Sequence, residues 1–216
     1  MDLIFYFVIL IVSVILHEVA HGYMANWLGD PTARLAGRLT LNPVSHIDPI
    51  GTLVLPAFIL LTQSVTHIPF LIGYAKPVPY NPYNLPGKYD EALVAFAGPG
   101  TNILLALIFG LALRFGGASM SDPMVTAFAT ITYLNMLLAL FNLIPIPPLD
   151  GSKVLSAIFG AVSPSLERGY NTFRLNFERL GVLSGTLLIL VVFVVLAPYF
   201  TAALFSLFTL LTGQSL

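Results

Sequence analysis

The chain has 216 residues, of which 57% are hydrophobic and only 9% charged, with a mean hydropathy of +0.89. Soluble domains carry about 25% charged residues, so this composition argues against a soluble protein and describes an integral membrane one. A formal net charge of −1 gives no reason to expect a nucleic-acid partner, and the absence of cysteine excludes disulfides and thiolate metal sites.

The first apolar run, Leu3–Leu28, is long enough to cross about 30 Å of hydrocarbon. It begins after Asp2 rather than a basic region, so it reads as a span and not as a cleavable signal peptide. Inside it lies His17-Glu18-Val19-Ala20-His21. Imidazoles four residues apart share one helix face and can grip one metal ion. Glu18 sits beside them, within reach of a water on that ion. Ionisable groups are costly within a bilayer and are rarely kept there without use, so this segment points to metal chemistry conducted inside the membrane.

Residues Thr32–Leu41 alternate partly with period two, which predicts a short β-hairpin against the membrane face. The next apolar stretch, Ile50–Ile72, is broken by Pro56 and by Thr66-His67-Ile68-Pro69. If it crosses fully, the nine Lys and Arg residues divide six to three; if it dips in and returns, they divide eight to one, with Arg114 alone. The positive-inside tendency favours a re-entrant segment. Tyr74 to Pro86 holds four prolines and is expected to be extended.

Ala92–Arg114 and Val125–Ile146 are further spans. Ala97-Gly98-Pro99-Gly100-Thr101-Asn102, early in the first of these, permits close helix packing and points the Asn102 amide into the bundle. Leu155 to Leu180 mixes apolar and basic residues and suits the membrane interface. Val182–Leu211 is either one long tilted span or, broken at Pro198, a shorter span and an interfacial piece.

A catalytic zinc site usually has three protein ligands and an open fourth position. His46 and His67 are candidates for the third ligand. Asp150 is stronger, because Asn142-Leu143-Ile144-Pro145-Ile146-Pro147-Pro148-Leu149-Asp150-Gly151 breaks regular helical bonding with three prolines. Such backbone is tolerated at membrane depth only where it is buried in protein or lines a wet cavity. Asn142 opens the same segment and can donate toward a substrate carbonyl. Asn102 and Asn142 are equally able to bridge helices.

Taken together, His17-Glu18-x-x-His21, Gly98-Pro99-x-x-Asn102 and Asn142-x-x-Pro145-x-x-Pro148-Leu149-Asp150-Gly151 resemble the motifs of the site-2 protease family of intramembrane zinc metalloproteases. The resemblance implies a three-helix catalytic core with one zinc ion held by His17, His21 and Asp150 near the cytoplasmic side of the cell membrane. It further implies hydrolysis of peptide bonds in transmembrane segments of other proteins. Glu18 then acts as general base, and Asn142 with Asn102 stabilises the oxyanion. Neither a PDZ nor a CBS domain is recognised, which likens the chain to the compact subgroup.

The expectation is therefore an all-α polytopic membrane protein of about four to five transmembrane helices, with the membrane-associated β-hairpin and the re-entrant segment. A single domain, 1–216, divides into a catalytic core 1–151, an interfacial segment 152–181 and a C-terminal membrane segment 182–212. Because a peptide bond inside a helix is shielded, the substrate must be unwound, and an edge within Ala33–Leu41 is expected to hold it as an added strand. The competing reading is an ion or proton transporter that uses the same intramembrane residues.

Overall fold

A computed structural model describes residues 3–48, 76–179 and 181–214. Among them the regular structure is helical, with no strand. The helices are α1 (Leu3–Trp27), α2 (Thr32–Leu35), α3 (Asp90–Gly116), α4 (Asp122–Asn142), α5 (Asp150–Val162), α6 (Pro164–Arg179) and α7 (Gly181–Thr212). Four of these, α1, α3, α4 and α7, are long and apolar enough to cross a membrane. The expected re-entrant segment, Ile50–Ile72, lies outside the described residues.

Helix α3 stands at the centre and packs against α1, α4, α5 and α7. Ala106 of α3, Met136 of α4, and Leu204 and Phe208 of α7 form one buried cluster. The small side chain at Ala106 lets the Phe208 ring approach the backbone, the usual way helices gain contact where lipid offers no hydrophobic driving force. At one end of the bundle the end of α1 meets the start of α3, where His21 Nδ1 lies 2.6 Å from the carbonyl oxygen of Val94. At the other end Arg114 donates to the carbonyl of Leu210.

Several boundaries differ from the expectation. The β-hairpin is absent from Thr32–Leu41, which instead holds the single helical turn α2 and non-regular backbone. Local bonding decides this. Asp30 Oδ1 accepts from Thr32 N (3.1 Å) and Thr32 Oγ1 (2.5 Å), which starts a turn. Gly37, at φ +65°, then reverses the chain in a conformation open to glycine. The proposed substrate edge at Ala33–Leu41 disappears with the hairpin.

Helix α4 stops at Asn142 rather than Ile146, because a residue preceding proline, here Ile144 before Pro145, is disfavoured in the helical region. The interfacial stretch resolves into two helices for the same reason: Ser163, before Pro164, is extended at φ −159° and ψ 128°. Helix α7 runs through Pro198 without a break, as membrane helices tolerate when neighbouring groups take up the freed carbonyl.

Non-regular backbone at Lys76–Asn81 leads into a 3-10 turn at Pro82–Asn84, where an extended chain was expected. Lys76 N donates to His46 O (3.0 Å), and Arg38 Nη2 donates to Lys76 O (2.8 Å). Asn81 N donates to Asp30 Oδ2 (2.7 Å).

Candidate metal centre

His17 and His21 project from one face of α1, about 15 Å from its C-terminal end for His17. Asp150 stands at the first position of α5, where the helix dipole favours a negative charge. It is delivered there by the irregular turn after α4, whose bonds are short-range: Ile146 N to Ile144 O (2.8 Å) and Leu149 N to Ile146 O (2.9 Å). The structure brings these three residues together. His17 Nε2 lies 3.0 Å from His21 Nε2, and Asp150 Oδ2 is 3.3 Å from the former and 3.4 Å from the latter.

The hydrogen bonds behind the rings fix what these atoms are. His17 Nδ1 lies 2.6 Å from Asn102 Oδ1, and His21 Nδ1 lies 2.6 Å from Val94 O. Both partners are oxygens without protons, so each ring carries its hydrogen on Nδ1 and, when neutral, presents a lone pair on Nε2. Two lone pairs and a carboxylate oxygen thus converge with no donor among them. Such an arrangement repels itself unless a cation lies between the three atoms.

The spacing matches one. Ligands about 2.0–2.1 Å from a tetrahedral zinc are separated by about 3.3 Å along each edge, and the three observed edges run from 3.0 to 3.4 Å. Behind them Gly98 leaves the necessary room: a Cβ there would lie 2.6 Å from His17 Nε2.

The Asn102 amide is wholly buried and committed on both sides. Its Oδ1 faces His17, and its Nδ2 donates to Asn135 Oδ1 (2.8 Å). Asn135 Nδ2 in turn donates to Ser13 Oγ (3.0 Å) and Ile131 O (2.9 Å). The chain of amides therefore orients the ring of His17, and Asn102 is not among the residues that line the cleft. Asn142 lines the cleft, with Nδ2 donating to Leu138 O (2.9 Å). Glu18 also lines it and accepts from Val78 N at 2.9 Å through Oε2.

The cleft itself has a volume of about 220 Å³ and includes Tyr80, Pro148 and Lys153. The Lys153 ammonium stands 5.0 Å from the centre of the Tyr80 ring. A larger groove of about 580 Å³ between α3, α4 and α7 is lined by leucines with Arg114 at one end. Its lining offers no metal ligand.

Of the other ligand candidates, His46 is buried elsewhere, with Nε2 2.8 Å from Thr40 O, and His67 lies outside the described residues. Sequence reasoning missed Ser13 and Asn135. Both carried a signal: Ser13 precedes His17 by four residues, and Asn135 precedes Asn142 by seven, so each polar group shares a helix face with a site residue. The contributions of Val78 N and Val94 O come from backbone, and no side chain announces them.

The profile of peptidase family M50 matches residues 113–191. YwhC of Bacillus subtilis, provisionally named a zinc metalloprotease, is 40% identical over 155 residues, covering 68% of this chain and 65% of its own length. The chain belongs to peptidase family M50, the site-2 proteases.

A second relative is Rip2 of Mycolicibacterium smegmatis, also provisionally named a zinc metalloprotease. It is 31% identical over 161 residues, covering 72% of this chain and 55% of Rip2. Zinc metalloprotease MJ0392 of Methanocaldococcus jannaschii is 25% identical over 153 residues, or 70% of this chain and 33% of that protein. The chain thus spans under two-thirds of the length of these relatives. The stretch matched by the M50 profile contains Asn135, Asn142 and Asp150, while His17, Glu18 and His21 precede it. No solved structure matches the chain.

Proposed function

We propose that this chain is an intramembrane zinc endopeptidase that hydrolyses peptide bonds in or near the transmembrane segments of membrane proteins. The observation that carries the reading is the convergence of His17 Nε2, His21 Nε2 and Asp150 Oδ2 within 3.4 Å of one another, with both histidines on the candidate membrane helix α1. These three residues would hold zinc. Bound there, zinc supplies Lewis acidity, polarising a carbonyl and making a water acidic enough to lose its proton near neutral pH.

Glu18 takes that proton at its carboxylate and returns it to the departing amine nitrogen. Asn142 has a second amide hydrogen besides the one spent on Leu138, and its place on the cleft wall suits it to a developing oxyanion. Asn102 acts one step back, by holding the Nδ1 hydrogen of His17 and so the direction of its Nε2 lone pair. The prolyl turn and the walls of the cleft limit bulk water around the reacting bond.

Eight of the nine Lys and Arg residues belong to segments at the end of the bundle nearer the site, and Arg114 alone marks the other end. The positive-inside tendency then puts the site toward the cytoplasm.

The decisive experiment is Glu18→Gln in the full chain reconstituted in lipid. The variant is expected to keep stoichiometric zinc and to lose cleavage of a single-span model substrate by at least a hundredfold. Undiminished cleavage would remove Glu18 from the mechanism. A change in zinc flux across sealed vesicles, with no proteolysis by the wild type, would install the transporter reading instead.

A further inference from the structure

The stretch Lys76–Asn81 lines the cleft through Pro77, Val78 and Tyr80 and is tied down at both ends. Lys76 is held at N by His46 O and at O by Arg38 Nη2, and Asn81 N is held by the buried carboxylate of Asp30. Between these anchors the sequence reads Pro77-Val78-Pro79-Tyr80. Proline has no N–H and restricts the residue before it to extended backbone. Val78 therefore carries the sole main-chain donor of the three central residues, and that donor meets Glu18 Oε2 at 2.9 Å. The Val78 side chain is itself buried, over Gly22, where a Cβ would come within 2.7 Å of Val78 Cγ1. The close seat on α1 and the two prolines thus set both the position and the direction of one N–H.

Resting on the endopeptidase reading above, we propose that the Val78 main-chain N–H is a positioning group for Glu18. A glutamate side chain turns about three bonds, and in a cleft of about 220 Å³ an untethered carboxylate samples many orientations. A hydrogen bond from a pinned backbone to one carboxylate oxygen removes most of that freedom and leaves Oε1 to meet the water. Preorganisation of this kind is where enzymes gain rate without tighter substrate binding. The flanking prolines add a second property: they leave no neighbouring N–H to compete for the same carboxylate. The effect belongs to kcat, because Val78 N touches Glu18 rather than substrate.

The test replaces the Val78 amide by an ester, using α-hydroxyisovalerate at position 78 of the full chain. This deletes the N–H and keeps the side chain. Val78→Ala is the complementary variant, which keeps the N–H and removes the packing over Gly22. With zinc content measured on every sample and a single-span model peptide as substrate, kcat of the ester variant is expected to fall about ten- to hundredfold below that of V78A, as suits a bond to a charged group. KM should stay within about threefold and zinc content should be unchanged. V78P, obtainable by ordinary expression, should follow the ester wherever it retains zinc.

Equal kcat for the ester and V78A variants would overturn the proposal, as would a rise in kcat on deleting the N–H, which would make the strap a brake. Wild-type and E18Q chains run alongside separate this from the parent reading. If wild type cleaves and E18Q does not, an unaffected ester variant sinks only the strap. If wild type fails to cleave, the endopeptidase assignment falls and takes the strap with it.

Discussion

Asn102 is the residue whose surroundings say most about how the site is kept in order. Its two amide atoms are not interchangeable here, because Oδ1 must accept from His17 and Nδ2 must donate to Asn135. Replacing it by alanine leaves the His17 N–H and the Asn135 carbonyl unpaired in a buried region, at about 1–3 kcal/mol for each orphaned group. Loss of a partner behind a ligating histidine typically weakens metal affinity by about 10- to 100-fold. Asn102→Ala should therefore lower both zinc affinity, measured by chelator competition, and thermal stability. Asn102→Asp keeps the acceptor for His17 but turns a second acceptor toward Asn135. It should retain more zinc affinity than N102A while losing comparable stability. Equal zinc affinity for the two variants would show that the acceptor facing His17 is without consequence.

At the scale of elements, the loop after α1 is organised by one carboxylate. Asp30 is fully buried and satisfies Thr32, Asn81 and Asn84 together. Burial opposes its charge, but the hydrogen bonds from Thr32, Asn84 and Asn81 outweigh this and depress its pKa below the ordinary 3.8. The folded state therefore binds that proton less readily than the unfolded chain does. Its stabilising contribution is complete above pH 3.8 and fades as pH falls through the lower, folded value. The stability gap between wild type and Asp30→Asn should be about 1–3 kcal/mol near neutrality and should close below pH 3.8, as read by unfolding in detergent micelles across pH. A gap that persists unchanged at the lowest pH would mean that Asp30 acts by shape rather than by charge.

The same loop marks the limit of what was legible in the sequence. Spans α1, α3 and α4 could be read because twenty or more apolar residues have one use in a membrane. Asp150 could be read because three prolines before it announced irregular backbone at depth. The fate of Thr32–Leu41 could not be read from alternation, since a cap at Asp30 and a left-handed turn at Gly37 outweigh a weak period-two pattern. The role of the 76–80 stretch was half visible: its prolines predicted extended chain, but where it would lie depended on Asp30, Arg38 and His46, residues far away in sequence.

Viewed whole, the molecule is a bundle whose polar seam runs from Ser13 through Asn135 and Asn102 to His17. Its orientation can be tested cleanly because the chain has no cysteine of its own. Ser119, just past α3, and Ser165, at the start of α6, are both exposed and lie at opposite ends of the bundle. In intact cells, a membrane-impermeant maleimide should label Ser119→Cys and spare Ser165→Cys until the membrane is opened. The reverse pattern would turn the site outward.

A helix would ordinarily favour alanine over glycine by about 1 kcal/mol at an interior position. At position 98, α3 forgoes that gain and keeps an opening one carbon wide beside the imidazoles. A single added methyl would therefore gain helix propensity only by driving the two imidazoles from their places. On the proposed reading, the exchange that helix propensity favours at this position is the one that the chemistry forbids.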